Sequence, residues 1–428
     1  MTRVVVCLLA ILSGGFTFID RSVEPALGGK DLLAKIEEGR EHLKGESVKL
    51  LTGTVGTRRV RISRRRYVEF PVTGILGREM AVAILDADGK IEIARAIKRD
   101  PGFEVLTPGF TLSMRRENGI NSDIACVEPA GGKIVAVKYP VSNEGNRFGA
   151  GDAVIEAVYT PYSAEIMTDE VIKRGIEVQN SFIEKAYSRL RDRGVLSRAF
   201  PGQRIVDIIP KDVLRVLLLN EHIDPSEFKS AGLTKPLAER VLTVIGTNRE
   251  KAYAYSVSSA GARGLVQMIP STYALLLNKY TAAGLKSNFP SAMGDPVNAV
   301  MAQVLLCDSD WESIRARTDL RADRVGPYLA AAYNGGVGRV LTVLSHDKND
   351  WMEDPDQNHR PTMTVSKKVA VRVRTRSGRT AKRYVVRSYT HAIFKNETSK
   401  YISQYHWISD FLAERAKPEP PPAHVEVR

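Results

Sequence analysis

A chain of 428 residues is long enough for two or three domains with a real core, and 43% hydrophobic with 26% charged residues excludes a chain disordered throughout. The net charge of +13 directs it toward polyanions or anionic surfaces (nucleic acid, phospholipid, acidic envelope polymers) without choosing among them. The cysteines are Cys7, Cys126 and Cys307; with Cys7 in an apolar leader, at most one disulfide remains, Cys126 with Cys307. Neither the cysteines nor the scattered histidines make a metal-ligand spacing, so no metal and no cofactor is expected.

The chain opens "MTRVVVCLLAILSGGFTFIDRS", where Arg3 precedes an apolar run too short for a comfortable membrane span. Residues 1–22 fit a secretory signal peptide, or a membrane anchor if they are not removed. "KDLLAKIEEGREHLK" has helical periodicity. The segments "RRVRISRRRYVEFPV", "EMAVAILDADGKIEIARAI" and "KIVAVKYPV" are β-rich and separated by Gly, Pro and Asn, which predicts a small β-rich domain over 30–160 whose role the residues do not indicate. Within it, Asp86, Asp88 and Gly89 look like the start of a calcium loop, but the later acidic ligands are missing and a hairpin turn at Asp88-Gly89 is predicted instead.

From 163 the pattern turns helical and continues to about 345, with Pro210 placed to start the helix of "PKDVLRVLLLNEHI". Residues 365–390 alternate basic and apolar side chains around Ser377-Gly378, a β-hairpin with a basic face; "TSKYISQYHWISDFLAERA" gives a last helix, and the Pro-rich tail 416–428 reads as disordered. The predicted class is therefore α+β and multidomain: a β-rich domain, then a mainly helical domain over 163–415 carrying an inserted basic hairpin.

A glycosidic or acyl-transfer enzyme needs a proton carrier held in a partly dry place. Leu214 and Leu217 lie seven and four residues before Glu221, so the three share a helix face and Glu221 projects from an apolar surface near the helix end. Burial there would raise its pKa toward what a general acid needs at neutral pH; a rim carboxylate held by an arginine or a backbone donor is the plainer alternative. Glu250 follows Gly246 and Thr243 at the same offsets and is flanked by Arg249 and Lys251, the setting of a solvated helix-end charge. "SVSSAGARGLVQMIPSTY" then packs small residues before a helix: Gly261 and Gly264 permit unusual φ or close backbone approach, while Ser258, Ser259 and Gln267 could bond a sugar or an amide. In "AAAYNGGVGR", Tyr333 and Asn334 bring polar groups to a glycine-terminated helix end, with Tyr333 placed to orient a carboxylate. Taken singly, each of these is as readily a turn, a cap or core filler.

Taken in order, the segments resemble the soluble lytic transglycosylase family: "VLLLNEHID" ending in Glu221, the pattern S-x-A-G-A-x-G-L-x-Q-x-x-P-x-T from Ser258 to Thr272, A-Y-N-x-G at Ala332, Tyr333, Asn334 and Gly336, and "ETSKYI" with Tyr401. The resemblance covers about 210 to 405, roughly half the chain. It implies a goose-lysozyme-like helical fold and cleavage of the β-1,4 bond between N-acetylmuramic acid and N-acetylglucosamine in peptidoglycan, with a 1,6-anhydro product and one glutamic acid serving as both acid and base. Tyr333 would then hold the glutamate, and Ser258, Gln267, Asn334 and Tyr401 would line the sugar groove. It also implies export to the periplasm or cell envelope. Peptidoglycan strands would be the partner, with an anionic membrane or envelope proteins left open for the β domain.

Two departures from the family pattern stand out. The family's acid usually lies some fifteen residues before the Gly-Leu pair, which here falls next to Glu250; an inserted helix over about 235–250 would explain why Glu221 is further away. The basic hairpin before Tyr401 is the second. A lysozyme-like hydrolase and a noncatalytic glycan-binding envelope protein remain as alternatives. A nucleic-acid binder built on the hairpin is not expected, because that segment lacks interleaved aromatics apart from Tyr384 and Tyr389.

Overall fold

The computed structural model describes residues 29–64, 66–99, 102–142, 154–223, 227, 234–318, 323–346, 362–374, 380–393 and 396–416. The predicted leader 1–22, the hairpin tip at Ser377-Gly378 and the tail after residue 416 lie outside them.

Helix α1 (Gly29–Lys44) precedes a run of strands: β1 (Leu50–Arg61), β2 (Tyr67–Leu85), β3 (Ile91–Lys98), β4 (Phe103–Val105), β5 (Thr111–Arg116), β6 (Asp123–Glu128), β7 (Lys133–Ser142) and β8 (Val154–Tyr159). The main sheet is antiparallel with the order β4-β3-β2-β7-β8, and β1 pairs with the outer half of β2. Strand β2 is therefore two things at once. From Met80 to Leu85 it is wholly buried between β3 and β7, whereas its first half forms with β1 an exposed two-stranded ribbon. The Asp-Gly turn is where it was predicted: Asp86 Oδ1 accepts from the backbone N–H of Asp88 at 3.0 Å and of Lys90 at 2.8 Å, and Gly89 takes φ 82° between β2 and β3. Strands β5 and β6 form a separate hairpin beside the sheet.

The helices follow: α2 (Asp169–Asp192), α3 (Ile205–Ile208), α4 (Lys211–Asn220), α5 (Thr234–Asn248), α6 (Pro270–Lys279), α7 (Phe289–Met293), α8 (Pro296–Arg315), α9 (Gly326–Gly335) and α10 (Val337–His346). A β9 (Thr362–Arg374) and β10 (Thr380–Ala392) ribbon and the closing α11 (Asn396–Arg415) complete the chain. The mixed architecture predicted, β-rich first and helical after, is the one observed. Helix α8 is buried along nearly its whole length and packs against most of the other helices, α2, α9 and α10 among them. Helices α2 and α5 cross closely, because a Cβ at Gly175 would strike the Leu242 carbonyl and one at Gly246 the Val171 carbonyl.

One apolar core joins the two regions. Val82, Ile84 and Tyr159 of the sheet belong to the same packed cluster as Leu217, Ile245 and Leu305 of the helices, while α1 closes the opposite face of the sheet through Leu32, Ile36 and Leu43. A buried polar clasp reinforces the joint: Asn248 Nδ2 donates to the Thr160 carbonyl at 2.8 Å, and its Oδ1 accepts from the Thr160 N–H at 2.8 Å and from Arg40 at 2.9 Å.

Cys126 and Cys307 are both free thiols, Cys307 being buried on α8 and Cys126 lying on β6, so the one disulfide that the cysteines allow is not formed. Two expectations need correction. The β9–β10 ribbon is basic on both faces: the register sets Arg372 opposite Lys382 on one and Lys367 opposite Arg387 on the other, because adjacent basic pairs such as Lys367-Lys368 must point to opposite sides of a strand. The other concerns the tyrosines of the site. Among the described residues, no helix is long and apolar enough to cross a membrane.

Candidate active site

Helix α4 carries a continuous apolar face, with Val213, Leu214, Leu217 and Leu218 buried, and ends at Glu221, whose N–H closes the last turn on the Leu217 carbonyl at 3.1 Å. The helix end is fixed from α11: Asn220 Nδ2 donates to the Tyr401 carbonyl at 2.9 Å, and Tyr401 Oη donates to Glu221 Oε1 at 2.5 Å. Burial pushes the Glu221 carboxyl up from 4.5 to about 8, against the opposing pull of the Tyr401 hydrogen bond and with a small further push from Glu397. Burial therefore wins over the hydrogen bond, and Glu221 is protonated at neutral pH while keeping a donor ready to support its anion.

The neighbouring His222 is tied down on both sides. Its Nε2 lies 2.9 Å from the Leu265 carbonyl, which requires the proton on Nε2, and its ring stacks on Tyr253 with centroids 3.5 Å apart and planes 9° apart. Burial pulls its pKa down to about 4, so it stays neutral across the physiological range. The sequence offered no signal for this role beyond the adjacency of His222 to Glu221.

The segment from Ser256 to Ile269 forms the facing wall. Ser258 Oγ accepts from the N–H groups of Ala260 and Ala262 at 3.2 and 3.0 Å, which folds the small-residue run into a tight loop. Gly264 takes φ 70°, and a Cβ there would strike the Met293 carbonyl, so only glycine lets this loop lie against α7. Gln267 itself holds φ 45° and its Nε2 donates to the Gly264 carbonyl at 2.8 Å. The serine- and glycine-rich run thus builds a wall and hands its last residues to α6, with Pro270 at the first turn.

Glu221, Ser258 and Gln267 are common to the walls of two cavities. One, of about 320 Å³, continues past His222 and Tyr253 to β5–β6. The other, of about 360 Å³, continues past Ala262 and Ile269 to Tyr333, Asn334 and Glu397. Both volumes fall in the range of small-ligand sites, about 300–1,000 Å³. The structure thus brings Glu221, Ser258, Gln267, Tyr333 and Asn334 together. Glu250 is not with them: it is exposed on a single turn, Arg249–Lys251, beyond the end of α5. That helix, Thr234–Asn248, accounts for the long separation between Glu221 and the Gly-Leu pair.

The two tyrosines exchange the places expected for them. Tyr333 Oη donates to the Val266 carbonyl at 2.5 Å and so braces the loop wall, while Tyr401, expected in the groove, is buried beneath the acid and holds it. The reason is the approach of α11, which packs on both α4 and α9 and brings Tyr401 to the end of α4. Asn334 Oδ1 accepts from Thr398 Oγ1 at 2.8 Å, joining the A-Y-N segment to α11. Two further acids also reach the cavities: Asp123 from β6 in the first, which no motif marked, and Glu397 from α11 in the second, the glutamate of "ETSKYI", to which no role was given. Arg116, Asn121 and Arg240 are further lining residues that sequence reasoning missed. Among the described residues, no group of three or more His, Cys, Asp or Glu side chains could hold a metal ion.

Compared with known proteins, the chain matches no family model, no curated protein and no solved structure.

Proposed function

We propose that the protein is a peptidoglycan lytic transglycosylase with a goose-lysozyme-like catalytic region, exported to the cell envelope, and that Glu221 is its acid and base. The observation that carries this reading is a single carboxyl, lifted to about 8 by burial, standing between two cavities of sugar-accommodating size. Sugars on the two sides of the scissile bond would occupy the two cavities, with the glycosidic oxygen at Glu221.

Protonated Glu221 donates its proton to the glycosidic oxygen, the C1–O bond breaks and positive charge develops at C1. The carboxylate left behind is stabilised by the Tyr401 hydroxyl at 2.5 Å. It then takes the proton of the muramyl C6 hydroxyl as O6 bonds to C1, which restores the acid and gives a 1,6-anhydro end without consuming water. His222, neutral and locked by the Leu265 carbonyl and the Tyr253 ring, shapes the groove and transfers no proton in this scheme. Ser258, Gln267 and Asn334 are the groove residues in reach of sugar hydroxyl and acetamido groups, and the basic ribbon β9–β10 suits an anionic wall polymer.

A second reading shares the fold and the acid. Asp123 and Glu397 also line the cavities, and a second carboxylate that activates water would make the enzyme a hydrolase. Clearance of purified sacculi tests the assignment of the acid. Glu221→Gln should abolish lysis while Glu250→Gln retains it; the reverse pattern overturns the proposal.

A further inference from the structure

We infer that Asp123 is a positioning residue for the glycan strand, accepting a hydrogen bond from an N–H or O–H group of the substrate at the β5–β6 end of the groove. This rests on the groove reading above and adds to it a wall supplied by the β-rich region, for which the helical motifs provide no counterpart.

Strands β5 and β6 pair so that Asp123 lies directly opposite Arg116, and both side chains face the cavity that holds Glu221. The Asp123 carboxyl is half-buried, and its Oδ1 is shielded from solvent with no hydrogen-bond partner. Such an acceptor is costly to leave unmade. Arginines surround it, yet each is engaged elsewhere. Arg115 donates to Glu165 at 2.6 Å, while Arg116 and Arg240 reach Glu227 at 2.9 and 2.6 Å. Those three cations and the three acids, Asp123 included, balance in number, and burial raises the Asp123 pKa against the pull of Arg115.

The hairpin is rigidly placed relative to the acid. Asn121, two residues before Asp123, donates from Nδ2 to Ser256 Oγ at 2.9 Å and accepts from the Tyr159 hydroxyl at 2.6 Å, and that same hydroxyl accepts from the N–H of Tyr253, the residue stacked on His222. A carboxyl oxygen lacking a donor is thus fixed in the wall of the cavity that contains the proposed proton donor. An acceptor so placed selects for a donor on the ligand. On a peptidoglycan strand that donor is either an acetamido N–H or hydroxyl of the sugar, or an N–H of the stem peptide.

The test measures binding in a Glu221→Gln background, where strands are not consumed, with soluble glycan strands that carry their stem peptides and strands stripped of them. Adding Asp123→Ala should weaken binding roughly tenfold, the loss expected when a hydrogen-bond partner in a half-buried site is removed. Loss on both strands places the donor on the sugar, and loss only on peptide-bearing strands places it on the stem. Unchanged affinity for both overturns the inference, whereas failure of Glu221→Gln itself to bind either strand overturns the groove reading beneath it. Asp123→Asn, which preserves shape, separates this from misfolding: its melting temperature should be no lower than the parent's, and in the active enzyme its KM should rise with kcat nearly unchanged. A fall in kcat at unchanged KM would put Asp123 in the bond-breaking step and refute a positioning role.

Discussion

Replacing Glu221 by Gln should make the protein more stable, and increasingly so as pH rises. The folded protein holds the Glu221 proton up to about pH 8, whereas the unfolded chain releases it near the ordinary 4.5. A carboxyl raised in this way leaves stability intact below the unfolded value and costs stability as pH climbs to the folded value, because there the folded state binds the extra proton. At about 1.4 kcal/mol per pH decade, the interval from 4.5 to about 8 sets an upper bound of about 5 kcal/mol. Gln cannot ionise and avoids the cost. Thermal melts of the two proteins should therefore nearly coincide at about pH 4.5 and separate progressively to about pH 8, with the variant melting higher. Lysis should behave in the opposite sense: the variant should lose roughly 10²–10⁴-fold in rate, the contribution of a general acid, and the parent's activity should fall along an alkaline limb centred near pH 8. Melting curves that stay parallel across this range, with an activity limb near pH 4 to 5, would show that Glu221 is an ordinary solvated carboxylate and refute the reasoning.

Other outcomes follow from the same geometry. Tyr401→Phe removes the hydrogen bond that holds Glu221 down, so the alkaline limb should move to still higher pH while the maximal rate falls, read from pH–rate profiles of sacculus lysis. Gly264→Ala places a Cβ against the Met293 carbonyl at a positive φ and should destabilise by about 2 kcal/mol or more, seen as a lower melting temperature with parallel loss of lysis. Between 362 and 392 the chain carries nine Lys or Arg and no Asp or Glu; neutralising Lys367, Lys368, Arg383 and Arg387 should weaken sacculus binding and flatten its salt dependence, measured by co-sedimentation, without shifting the alkaline limb.

The parts legible in the sequence were those with local signatures. The apolar face of α4 announced itself through leucine spacing, and the same spacing singled out Glu221 over Glu250, which the structure leaves exposed. The Asp-Gly turn between β2 and β3 and the break at Gly261 and Gly264 were equally plain, since each rests on φ values few residues tolerate. The ordered motifs also pointed to Glu221, Ser258, Gln267 and Asn334 as one groove; what escaped were the contacts to which no motif gave a role. Nothing near Tyr401 indicates that α11 lays it under the end of α4, so the tyrosine expected to hold the acid was the one that shared a motif with Asn334. The polar stretch Glu117–Asp123 has the composition of an ordinary turn, and only the pairing of β5 with β6 and the clasp between Asn121 and Ser256 bring Asp123 to the groove. The long β2 strand falls across two β-rich sequence segments because its exposed and buried halves follow different patterns.

The central claim, that one carboxyl both gives and recovers the proton without water entering the bond, is tested most directly by digesting purified sacculi in water enriched in heavy oxygen and weighing the released muropeptides. The account predicts 1,6-anhydromuramyl ends that carry none of the solvent label. Reducing ends labelled with solvent oxygen would show that water attacks C1, and would contradict it.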